Sequence, residues 1–511
     1  MKKGNEYNGV VERVEFGDKG IVVCQEPGGE NDGKLAVVKN CIEGQKIVFR
    51  VRKKRSGKAE GDLVRVLEES PLATATPACP HFGLCGSCRY QMLPYEAQLS
   101  MKERQIKDIL DGAVKPFDYA YEWQGIVPSP LAYEYRNKME FSFGNAVKDG
   151  PLTLGLHKKG SFYDIMEVTE CRIVDADFRA VLTEALAVCR EYGLGFYHKM
   201  THVGYLRHLL VRKAAHTGEM LVDLVTSSQA PEREAKFLKE FTERVVQSVN
   251  KVNSVESAAT EVIPNDVRNC AAATDDIVTD WIKKGTVVSV LHTVNDSLSD
   301  TIQNDRTDIL YGRDYIEEIL LGLHFYISAF SFFQTNSKGA ERLYEKAREF
   351  VGETKDKIIY DLYSGTGTIA QLLAPVAKKV IGVEIIEEAV EAAKENAKKN
   401  GLDNCDFLAG DVLKMLDEIT EKPDFIVLDP PRDGIHPKAL AKIIDYGVDK
   451  LLYISCKPTS LARDLATLQE EGYCVEKAAA VDMFAQTYHC ETICLLKKAE
   501  DTGLYRNPEE S

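Results

Sequence analysis

Short apolar stretches separated by turn residues open the chain. Between residues 8 and 67 the hydrophobic positions recur in runs of strand length, and glycine-containing pairs such as Asp32-Gly33 supply the turns. The predicted strands cover residues 10–14, 20–24, 34–38, 45–53 and 62–67. Five short strands in a segment of this length predict a small barrel of the OB type.

Strand-like and helical stretches alternate in the middle of the chain. After residue 69 a segment rich in proline, serine and threonine is typical of a linker, and a helix is predicted over residues 95–110. Further strands are predicted within 133–144 and 152–168, and further helices over 177–193 and 233–249. Residues 250–285 are polar without clear periodicity, which predicts an insertion or a long loop. We therefore expect a mixed α+β arrangement here.

The pattern changes again near residue 340, where an apolar strand, a glycine-containing turn and a helix follow one another repeatedly. Apolar strands that feed helices in series predict a parallel, doubly wound α/β sheet of the Rossmann-like kind. In such sheets ligands bind beyond the carboxyl ends of the strands. Together with the length of 511 residues, these changes predict three domains over residues 1–70, 71–330 and 331–511.

Composition is that of an ordinary globular protein, with 44% hydrophobic and 28% charged residues. The longest apolar runs are far shorter than a membrane span, and the first residues lack the apolar segment of a secretory signal. Thirteen cysteines, an odd number in a long chain, favour the reducing cytosol over a disulfide framework. We expect a cytoplasmic protein without membrane association, and no obligate protein partner is predicted.

The net charge of −15 is unfavourable for a protein that binds phosphates. The positive residues cluster, however, at residues 46–58, at Arg136 and Lys138, at residues 157–159 and at residues 207–213. A basic stripe on an acidic body would focus the local field and attract RNA. The alternative is that these residues are the solvated ends of strands and loops. Charge therefore permits RNA as a partner without requiring it.

Carboxylates and glycines stand where the predicted parallel strands end. The first loop contains Gly365 and Gly367, which allow a tight turn close to a ligand, although a helix-capping loop has the same composition. Glu384 follows the next strand and suits a bidentate contact with ribose hydroxyls. The next two strands end at Asp411 and Asp429, and no phosphate-binding lysine accompanies them. This set favours S-adenosylmethionine, a nucleoside that carries a sulfonium cation.

A cysteine and a glutamate stand at the ends of the last strands. Cys456 follows the fifth strand of the series and directly precedes Lys-Pro and a helix. A cysteine after an apolar strand is commonly a core residue, but a strand end before a helix can lower a thiol pKa and activate the thiol. Glu491 lies in a final strand and is a candidate base.

At these positions the chain resembles the uracil-5 RNA methyltransferase family. The motifs that carry the resemblance are SFFQTN at 331–336, DLYSGTG at 361–367, DPPR at 429–432, SCKP at 455–458 and TYHCET at 487–492. The similarity spans essentially the whole chain, and the N-terminal barrel resembles the TRAM RNA-binding module. The resemblance implies Cys456 as nucleophile and Glu491 as general base. The residues that it implies around the cofactor and the target base are Gln334, Tyr363, Glu384 and Asp429. Gly365 and Asp411, which lie in loops after strands of the same predicted sheet, are further candidates for cofactor binding.

The chemistry that the resemblance implies needs both catalytic side chains. Carbon 5 of uracil is a poor nucleophile toward a methyl sulfonium, and a thiolate added at carbon 6 turns the ring into an enolate that attacks the methyl group. A base must then remove the carbon 5 proton so that elimination releases the thiol. The uridine must also be unstacked, which favours loops or remodelled single strands of structured RNA. Asparagine is more familiar in the family than Lys457 after the cysteine, so the role of that lysine is open.

A second group of cysteines follows the barrel. Cys79, Cys85 and Cys88 have the spacing Cys-x5-Cys-x2-Cys, and Cys171 could complete a set of four thiolates. Zinc is the general alternative for such a set, and Cys171 alone could be a core residue. Because CPHFGLCGSC resembles the iron–sulfur segment of the family, the resemblance implies a [4Fe–4S] cluster held by four cysteines. Such a cluster would be structural or would position RNA.

Other functions compete with this interpretation. An enzyme that methylates an exocyclic amine would suit the Pro-Pro motif, but it needs neither Cys456 nor Glu491. A non-catalytic RNA-binding or ribosome-assembly protein could keep the fold without methyl transfer. Within the family, a barrel with a cluster resembles the ribosomal RNA branch more than the transfer RNA branch, which lacks both. We therefore favour a uridine of 23S ribosomal RNA as the target, with transfer RNA as the alternative.

Overall fold

The N-terminal strands close into a barrel. The computed structural model describes residues 1–55, 58–255, 283–299, 302 and 304–499. The barrel strands are β1 (Glu6–Glu15), β2 (Lys19–Cys24), β3 (Leu35–Lys39), β4 (Lys46–Arg55) and β5 (Lys58–Glu68). They are ordered β1-β2-β3-β5-β4, and β1 pairs with β4 to complete the ring. The predicted barrel is confirmed, with an interior so tight at Gly20 that an added Cβ would collide with Sγ of Cys41.

A long helix connects the barrel to the C-terminal part of the chain. This helix, α1 (Tyr95–Val114), buries Ile106 and Leu110 in the same apolar cluster as strands from beyond residue 350. A 3-10 turn (Lys115–Phe117) and strand β6 (Glu122–Val127) follow, and β6 joins the edge of the C-terminal sheet. Residues near 100–127 therefore belong with the C-terminal sheet. The repeat of strands and helices in the sequence had predicted this sheet from residues after 340 alone. The division into three domains stays a prediction.

A seven-stranded sheet forms the middle of the chain. Its strands are β7 (Lys138–Gly144), β8 (Thr153–His157), β9 (Ile165–Glu167), β10 (Leu206–Lys213), β11 (Glu219–Thr226), β12 (Thr286–Val294) and β13 (Arg306–Gly312). The order is β13-β12-β11-β10-β7-β8-β9. Helices α2 (Ala176–Glu191) and α3 (Glu234–Val255) pack on one face, and a hairpin of β14 (Tyr315–Leu320) and β15 (Leu323–Ser328) follows the sheet. The insertion predicted over 250–285 overlaps the end of α3, and its residues 256–282 lie outside the described residues.

The basic segment 207–213 lies inside this sheet, so it is neither an RNA contact nor a solvated strand end. Arg207 and Lys213 are buried. Arg207 donates to three backbone carbonyls of the loop 295–299, at 2.6 Å, 2.8 Å and 2.8 Å. Lys213 Nζ lies 2.6 Å and 2.5 Å from the carboxylates of Asp175 and Asp177. These partners offset the free-energy cost of burying the two charges. The segment therefore connects the sheet to the loop 295–299 and to the start of α2.

An eight-stranded sheet forms the C-terminal part. Beside β6, its strands are β16 (Thr354–Leu362), β17 (Ala377–Glu384), β18 (Cys405–Ala409), β19 (Phe425–Leu428), β20 (Lys450–Ser455), β21 (Tyr473–Val481) and β22 (Glu491–Lys498). The order is β18-β17-β16-β19-β20-β22-β21-β6. The first five of these strands run parallel, whereas β22 runs antiparallel to both of its neighbours. The predicted α/β class is confirmed, with one reversed strand that the strand and helix repeat did not reveal.

Helices flank both faces of this sheet. They are α4 (Ser337–Val351), α5 (Thr368–Leu373), α6 (Glu387–Lys399), α7 (Val412–Glu418), α8 (Pro437–Asp445) and α9 (Pro458–Glu470), with a 3-10 turn at Ala374–Val376. Side-chain caps begin three of them, since Asn336 accepts from the amide of Gly339, Asp411 from that of Leu413 and His436 from that of Lys438. Within the described ranges no helix is long and apolar enough to cross a membrane.

Candidate active site

All eight residues predicted to act in catalysis or cofactor binding line one cavity. The chain proceeds from β16 to one side of the sheet and returns to β19 on the other, so a crevice opens at the carboxyl ends of these two strands. A cavity of about 1780 Å³ lies there. The predicted residues in its wall are Gln334, Tyr363, Gly365, Glu384, Asp411, Asp429, Cys456 and Glu491. Residues far apart in the sequence therefore meet at a single site.

The loop after β16 brings backbone to the edge of this cavity. Tyr363, Gly365 and Gly367 have positive φ angles of 69°, 55° and 72°. A Cβ at Gly367 would collide with the ring of Phe407, so space as well as backbone conformation requires glycine there. The amide of Gly365 donates to Oε2 of Glu384 at 3.0 Å. The loop thus ties the end of β16 to the end of β17.

Glu384 and Asp411 are fixed by backbone amides and keep accepting capacity. The two carboxylate oxygens of Glu384 accept from the amides of Gly365 and Ile386, both at 3.0 Å. A carboxylate offers about four lone-pair sites, so each oxygen can accept a further hydrogen bond from a ligand hydroxyl. Asp411 Oδ1 caps α7 by accepting from the amide of Leu413 at 2.9 Å. Both carboxylates are therefore held rigidly while they remain available to a ligand with hydroxyl or amino donors.

Three carboxyl groups at and below the cavity floor have raised pKa values. Burial, aided by the charge of Asp429, raises the pKa of Asp361 to about 8, and burial raises that of Asp429 to about 7. Burial and the charge of Asp429 also raise the pKa of Glu491 to about 8, against the opposite effect of Arg432. Oδ2 of Asp361 accepts from the amide of Ala370 at 2.9 Å, whereas its buried Oδ1 has no hydrogen-bond partner. A cation bound here would stabilise the ionised carboxylates.

Strand pairing brings Cys456 and Glu491 together. Strands β20 and β22 pair in a register that sets Ser455 opposite Thr492. Cys456 follows Ser455 and Glu491 precedes Thr492, so the end of this pairing brings the two residues close together, in line with the effect of the Glu491 charge on the Cys456 thiol. The Ser455 hydroxyl accepts from the amide of Lys457 and donates to its carbonyl, both at 3.1 Å. This turn ends the strand and fixes the cysteine at the start of α9.

The thiol of Cys456 is desolvated in the protein without ligands. Burial and then the charge of Glu491 raise its pKa to about 11, although Arg432 lowers it through its charge and a hydrogen bond. The expectation that the strand end lowers this pKa is wrong here, because burial and carboxylates outweigh the start of α9. Lys457, whose role the sequence left open, lies with Nζ 3.8 Å from the carboxylate of Asp433. Formation of the thiolate therefore depends on Arg432 and on any further positive charge that a ligand brings into the cavity.

Further residues of the cavity wall had no catalytic or cofactor role assigned from the sequence. Among them are Arg136, Phe332, Arg432 and His489. Arg432 and His489 belong to the DPPR and TYHCET motifs. The motifs indicated that these residues lie near the site, but they did not indicate which groups the two side chains contact. Burial, followed by the charges of Arg432, Lys102 and Arg136, lowers the pKa of His489 to about 4, so this imidazole is neutral near physiological pH. Arg136 comes from the middle of the chain, and no spacing in the sequence links it to this cavity.

The seven-stranded sheet supports the part of the wall that contains Gln334. Nδ2 of Asn137 donates to the backbone carbonyl of Gln334 at 3.0 Å. Nε of the buried Arg212 donates to the carbonyl of Ala329 at 3.0 Å, and its guanidinium also donates to the carbonyl of Ser331. The loop that carries Gln334 is thus held from a different sheet. The cavity is completed by residues of both large sheets.

The four predicted cluster cysteines lie near one another, and none of them lines the cavity. Burial raises the pKa of Cys88, and Cys171, Cys79 and Cys85 each raise it further through their charges. The amide of Cys79 donates to the Gln91 side chain at 3.0 Å, and the same side chain bonds Cys88. In the described part of the chain no group of three or more His, Cys, Asp or Glu side chains has the arrangement of a metal site. The four side chains therefore match four-thiolate ligation in type, whereas the structure does not show them in the geometry of a metal site.

Known proteins resemble this chain over nearly its whole length. The family model described as tRNA (Uracil-5-)-methyltransferase matches residues 290–499. A protein of Clostridium tetani, named an uncharacterized RNA methyltransferase, is 45% identical over 501 residues, which cover 98% of this chain and 99% of the relative. The chain belongs to the uracil-5 RNA methyltransferase family. A similarly named protein of Porphyromonas gingivalis is 34% identical and covers 91% of this methyltransferase and 96% of its own chain.

A solved structure shares the fold of this S-adenosylmethionine-dependent RNA methyltransferase. The tRNA (uracil-54, C5)-methyltransferase of Pyrococcus abyssi, in complex with S-adenosyl-L-homocysteine, is similar with a TM-score of 0.66. The match covers 96% of this chain and 100% of that chain at 24% identity. At this identity the likeness establishes the fold alone. Because 96% of the methyltransferase is covered, the shared fold extends into the N-terminal barrel.

We expect Glu491→Gln to stabilise the ligand-free methyltransferase at alkaline pH. The pKa of Glu491 is raised from 4.5 to about 8, so its contribution to folding is fully present below 4.5 and is lost as the pH rises through about 8. Glutamine stays neutral throughout this range. The Tm of the variant should match wild type near pH 5 and exceed it by roughly 2–5 °C near pH 9.

Thermal unfolding followed across this pH range measures the effect. Glu470→Gln makes the same change at an exposed residue of α9 and serves as the control. A difference in Tm between Glu491→Gln and wild type that does not grow with pH would contradict the raised pKa.

Proposed function

We propose that this enzyme transfers a methyl group to carbon 5 of a uridine in structured RNA through a covalent bond between Cys456 and uracil carbon 6. One observation carries the proposal. Cys456 directly follows β20 and Glu491 begins the adjacent strand β22, and both line the cavity whose wall contains Glu384, Asp411 and Asp429. A nucleophile and a base beside a nucleoside site are the two groups that carbon 5 methylation of uracil requires.

The carboxylates account for the choice of methyl donor. S-adenosylmethionine supplies the methyl group as part of a sulfonium cation. Glu384 would accept from the ribose hydroxyls, since both of its oxygens keep lone pairs beyond their backbone bonds. The raised pKa values of Asp429 and Glu491 show that charged carboxylates are costly in the ligand-free cavity. A bound cation lowers this cost and so favours the ionised forms.

Cys456 then acts on the uracil ring. Its pKa of about 11 lies above physiological pH, so release of the thiol proton to solvent costs a few kcal/mol in the free protein, and the Glu491 carboxylate stays available for its later role as base. Arg432 reduces the cost because it bonds the thiol and favours the thiolate. The thiolate sulfur bonds to carbon 6, and the electron pair displaced from the ring makes carbon 5 the nucleophile. Carbon 5 takes the methyl group, whose bond to the sulfonium sulfur breaks with the electron pair remaining on that sulfur, so a neutral thioether is released.

Glu491 completes the reaction. Its ionised carboxylate accepts the proton of carbon 5, the electrons of that bond restore the double bond to carbon 6, and the bond to sulfur breaks. Burial, and after it the neighbouring charge of Asp429, disfavours the ionised carboxylate, which makes Glu491 a stronger base than an exposed glutamate. Methylation of an exocyclic amine has no use for this pair, and RNA binding without catalysis has none either.

Ribosomal RNA is the favoured substrate, and transfer RNA is the second candidate. The resemblance of the barrel with a cysteine segment to the 23S ribosomal RNA branch supports the first. The second gains support from the Pyrococcus abyssi enzyme, which is named for a transfer RNA uridine and shares the fold over 100% of its own chain. Because that likeness extends into the barrel, the barrel fold alone does not discriminate the two substrates. The cysteine segment therefore carries the preference for ribosomal RNA.

The four cysteines hold a [4Fe–4S] cluster in this proposal. Cys79, Cys85, Cys88 and Cys171 provide the four thiolates that such a cluster takes, and each of the other three raises the pKa of Cys88. With every iron bound by the protein, the cluster would have no open position for chemistry. Its role would be to hold the segment after the barrel against the turn that contains Cys171.

We expect Cys456→Ala to abolish methyl transfer and to retain binding of S-adenosylmethionine, because the thiol acts on uracil. In cells that lack the gene, wild type should restore 5-methyluridine in 23S ribosomal RNA, and the variant should not. Cys474→Ala, a half-buried cysteine of β21 outside the cavity, is the matched control and should restore it. Normal methylation by Cys456→Ala would contradict the mechanism. Restoration in transfer RNA alone would overturn the preference for ribosomal RNA.

Anaerobically purified protein should be brown and contain about four irons per chain. Cys85→Ser and Cys88→Ser should each bleach the colour and lower the Tm, because ligation of such a group is coupled to folding. Cys474→Ser changes a cysteine outside the set and should keep both iron and colour. Iron analysis and visible absorption measure the outcome. Stoichiometric zinc without iron would overturn the cluster in favour of the general alternative.

A further inference from the structure

The loop between β8 and β9 combines exposed aromatic rings with exposed lysines. Phe162 is 85% exposed and Tyr163 is 66% exposed. Lys158 and Lys159, which precede them in the same loop, are also exposed. Large aromatic side chains are usually buried, and two adjacent exposed rings beside two positive charges are unusual on a chain with a net charge of −15.

Hydrogen bonds hold this loop in a defined shape. The amide of Lys158 donates to the carbonyl of Asp164 at 2.9 Å, which closes the loop at its base. The hydroxyl of Ser161 accepts from the amides of Tyr163 and Asp164 at 3.2 Å and 3.1 Å. The amide of Lys159 donates to the carbonyl of Leu84, in the cysteine segment, at 2.7 Å. The two rings are therefore presented on an ordered turn.

The sheet register puts the loop at the end of the sheet that faces the active site. Strand β8 runs antiparallel to β7 with Ser142 opposite Gly155, so the loop after β8 lies at the end where β7 begins. Adjacent strands are about 4.8 Å apart. Arg136, two residues before β7, lines the catalytic cavity. The loop and the cavity thus occupy the same end of the molecule.

A second chain of contacts leads from the loop to the cavity. After burial, the nearby charge of Arg89 lowers the pKa of Lys159, which brings these two side chains into one electrostatic neighbourhood. The amide of Arg89 donates to the carbonyl of Gln486 at 2.8 Å. Three residues beyond Gln486, His489 lines the cavity. These contacts therefore connect the loop with the segment that carries His489, while Asp18, 3.7 Å from Nε of Arg89, offsets part of the positive charge between them.

We propose that residues 157–164 form an RNA-binding platform, on which unstacked bases beside the target uridine stack on Phe162 and Tyr163 while Lys158 and Lys159 contact phosphates. The proposal rests on the proposed function for its choice of RNA. A target uridine has to leave its stack to enter the cavity, so its neighbours lose stacking partners as well. Aromatic side chains on ordered loops replace such stacking partners, and lysines beside them attract the phosphate backbone of the RNA.

Binding of an oligouridine RNA of about 20 nucleotides tests the platform without knowledge of the natural target. We expect Phe162→Ala/Tyr163→Ala to weaken its binding by at least about tenfold. Phe162→Trp/Tyr163→Trp keeps two aromatic faces and should restore binding to within about twofold of wild type. Lys158→Gln/Lys159→Gln should reduce the slope of log affinity against log salt concentration by about 0.7 for each lost phosphate contact.

The opposite end of the same sheet provides the control. Met200 and Val203 are 69% and 62% exposed in the loop before β10, so Met200→Ala/Val203→Ala removes exposed apolar surface away from the active site. This variant should bind the oligouridine like wild type. Equal loss in both double variants, or no loss in Phe162→Ala/Tyr163→Ala, would overturn the platform. Formation of a covalent adduct with 5-fluorouridine RNA tests the proposed function separately, because it reports on Cys456 and not on the loop.

Discussion

The antiparallel pairing of β22 with β20 is the constraint on which the active site depends. It sets Ser455 opposite Thr492 and so brings Cys456 beside Glu491. A slip of one residue would turn Glu491 to the other face of the sheet. The segment that leads into β22 is anchored by a buried ion pair, in which Lys102 Nζ of α1 lies 2.7 Å from Asp482. A helix from the first quarter of the chain thus helps to fix the register of the last strand.

Desolvation gives the same cavity its reactivity. Burial raises the pKa of the Cys456 thiol and of the Asp429 and Glu491 carboxyls, so each charged form is costly while the cavity is free of ligands. A sulfonium cation and the guanidinium of Arg432 both favour those charged forms. In the proposed mechanism, this arrangement couples cofactor binding to activation, because Cys456 and Glu491 ionise more readily once positive charge is present. Burial raises the pKa of Glu491 and so makes a stronger base of a residue type that is weakly basic in water.

Local patterns in the sequence were sufficient for much of this architecture. The barrel and the strand and helix repeat were predicted because apolar periodicity and glycine turns are local signals. The strand ends and the family motifs together supplied the eight predicted site residues, and all eight line the cavity. Long-range contacts were beyond such signals. Strand β6 joins a sheet whose other strands lie more than 200 residues later. Arg207 and Lys213 are buried by carbonyls and carboxylates that only the fold brings to them, and the raised pKa of Cys456 depends on carboxylates from other strands.

The fate of RNA treated with Glu491→Gln tests most directly the claim that Cys456 and Glu491 act in succession on one uracil. Glutamine keeps the size of the side chain and removes its basicity, so addition and methyl transfer should proceed while proton removal stalls. With cofactor labelled in its methyl group, we predict label in a protein–RNA band that survives denaturing electrophoresis and is absent from Cys456→Ala/Glu491→Gln. Free methylated RNA released by Glu491→Gln at close to the wild-type rate would contradict the account.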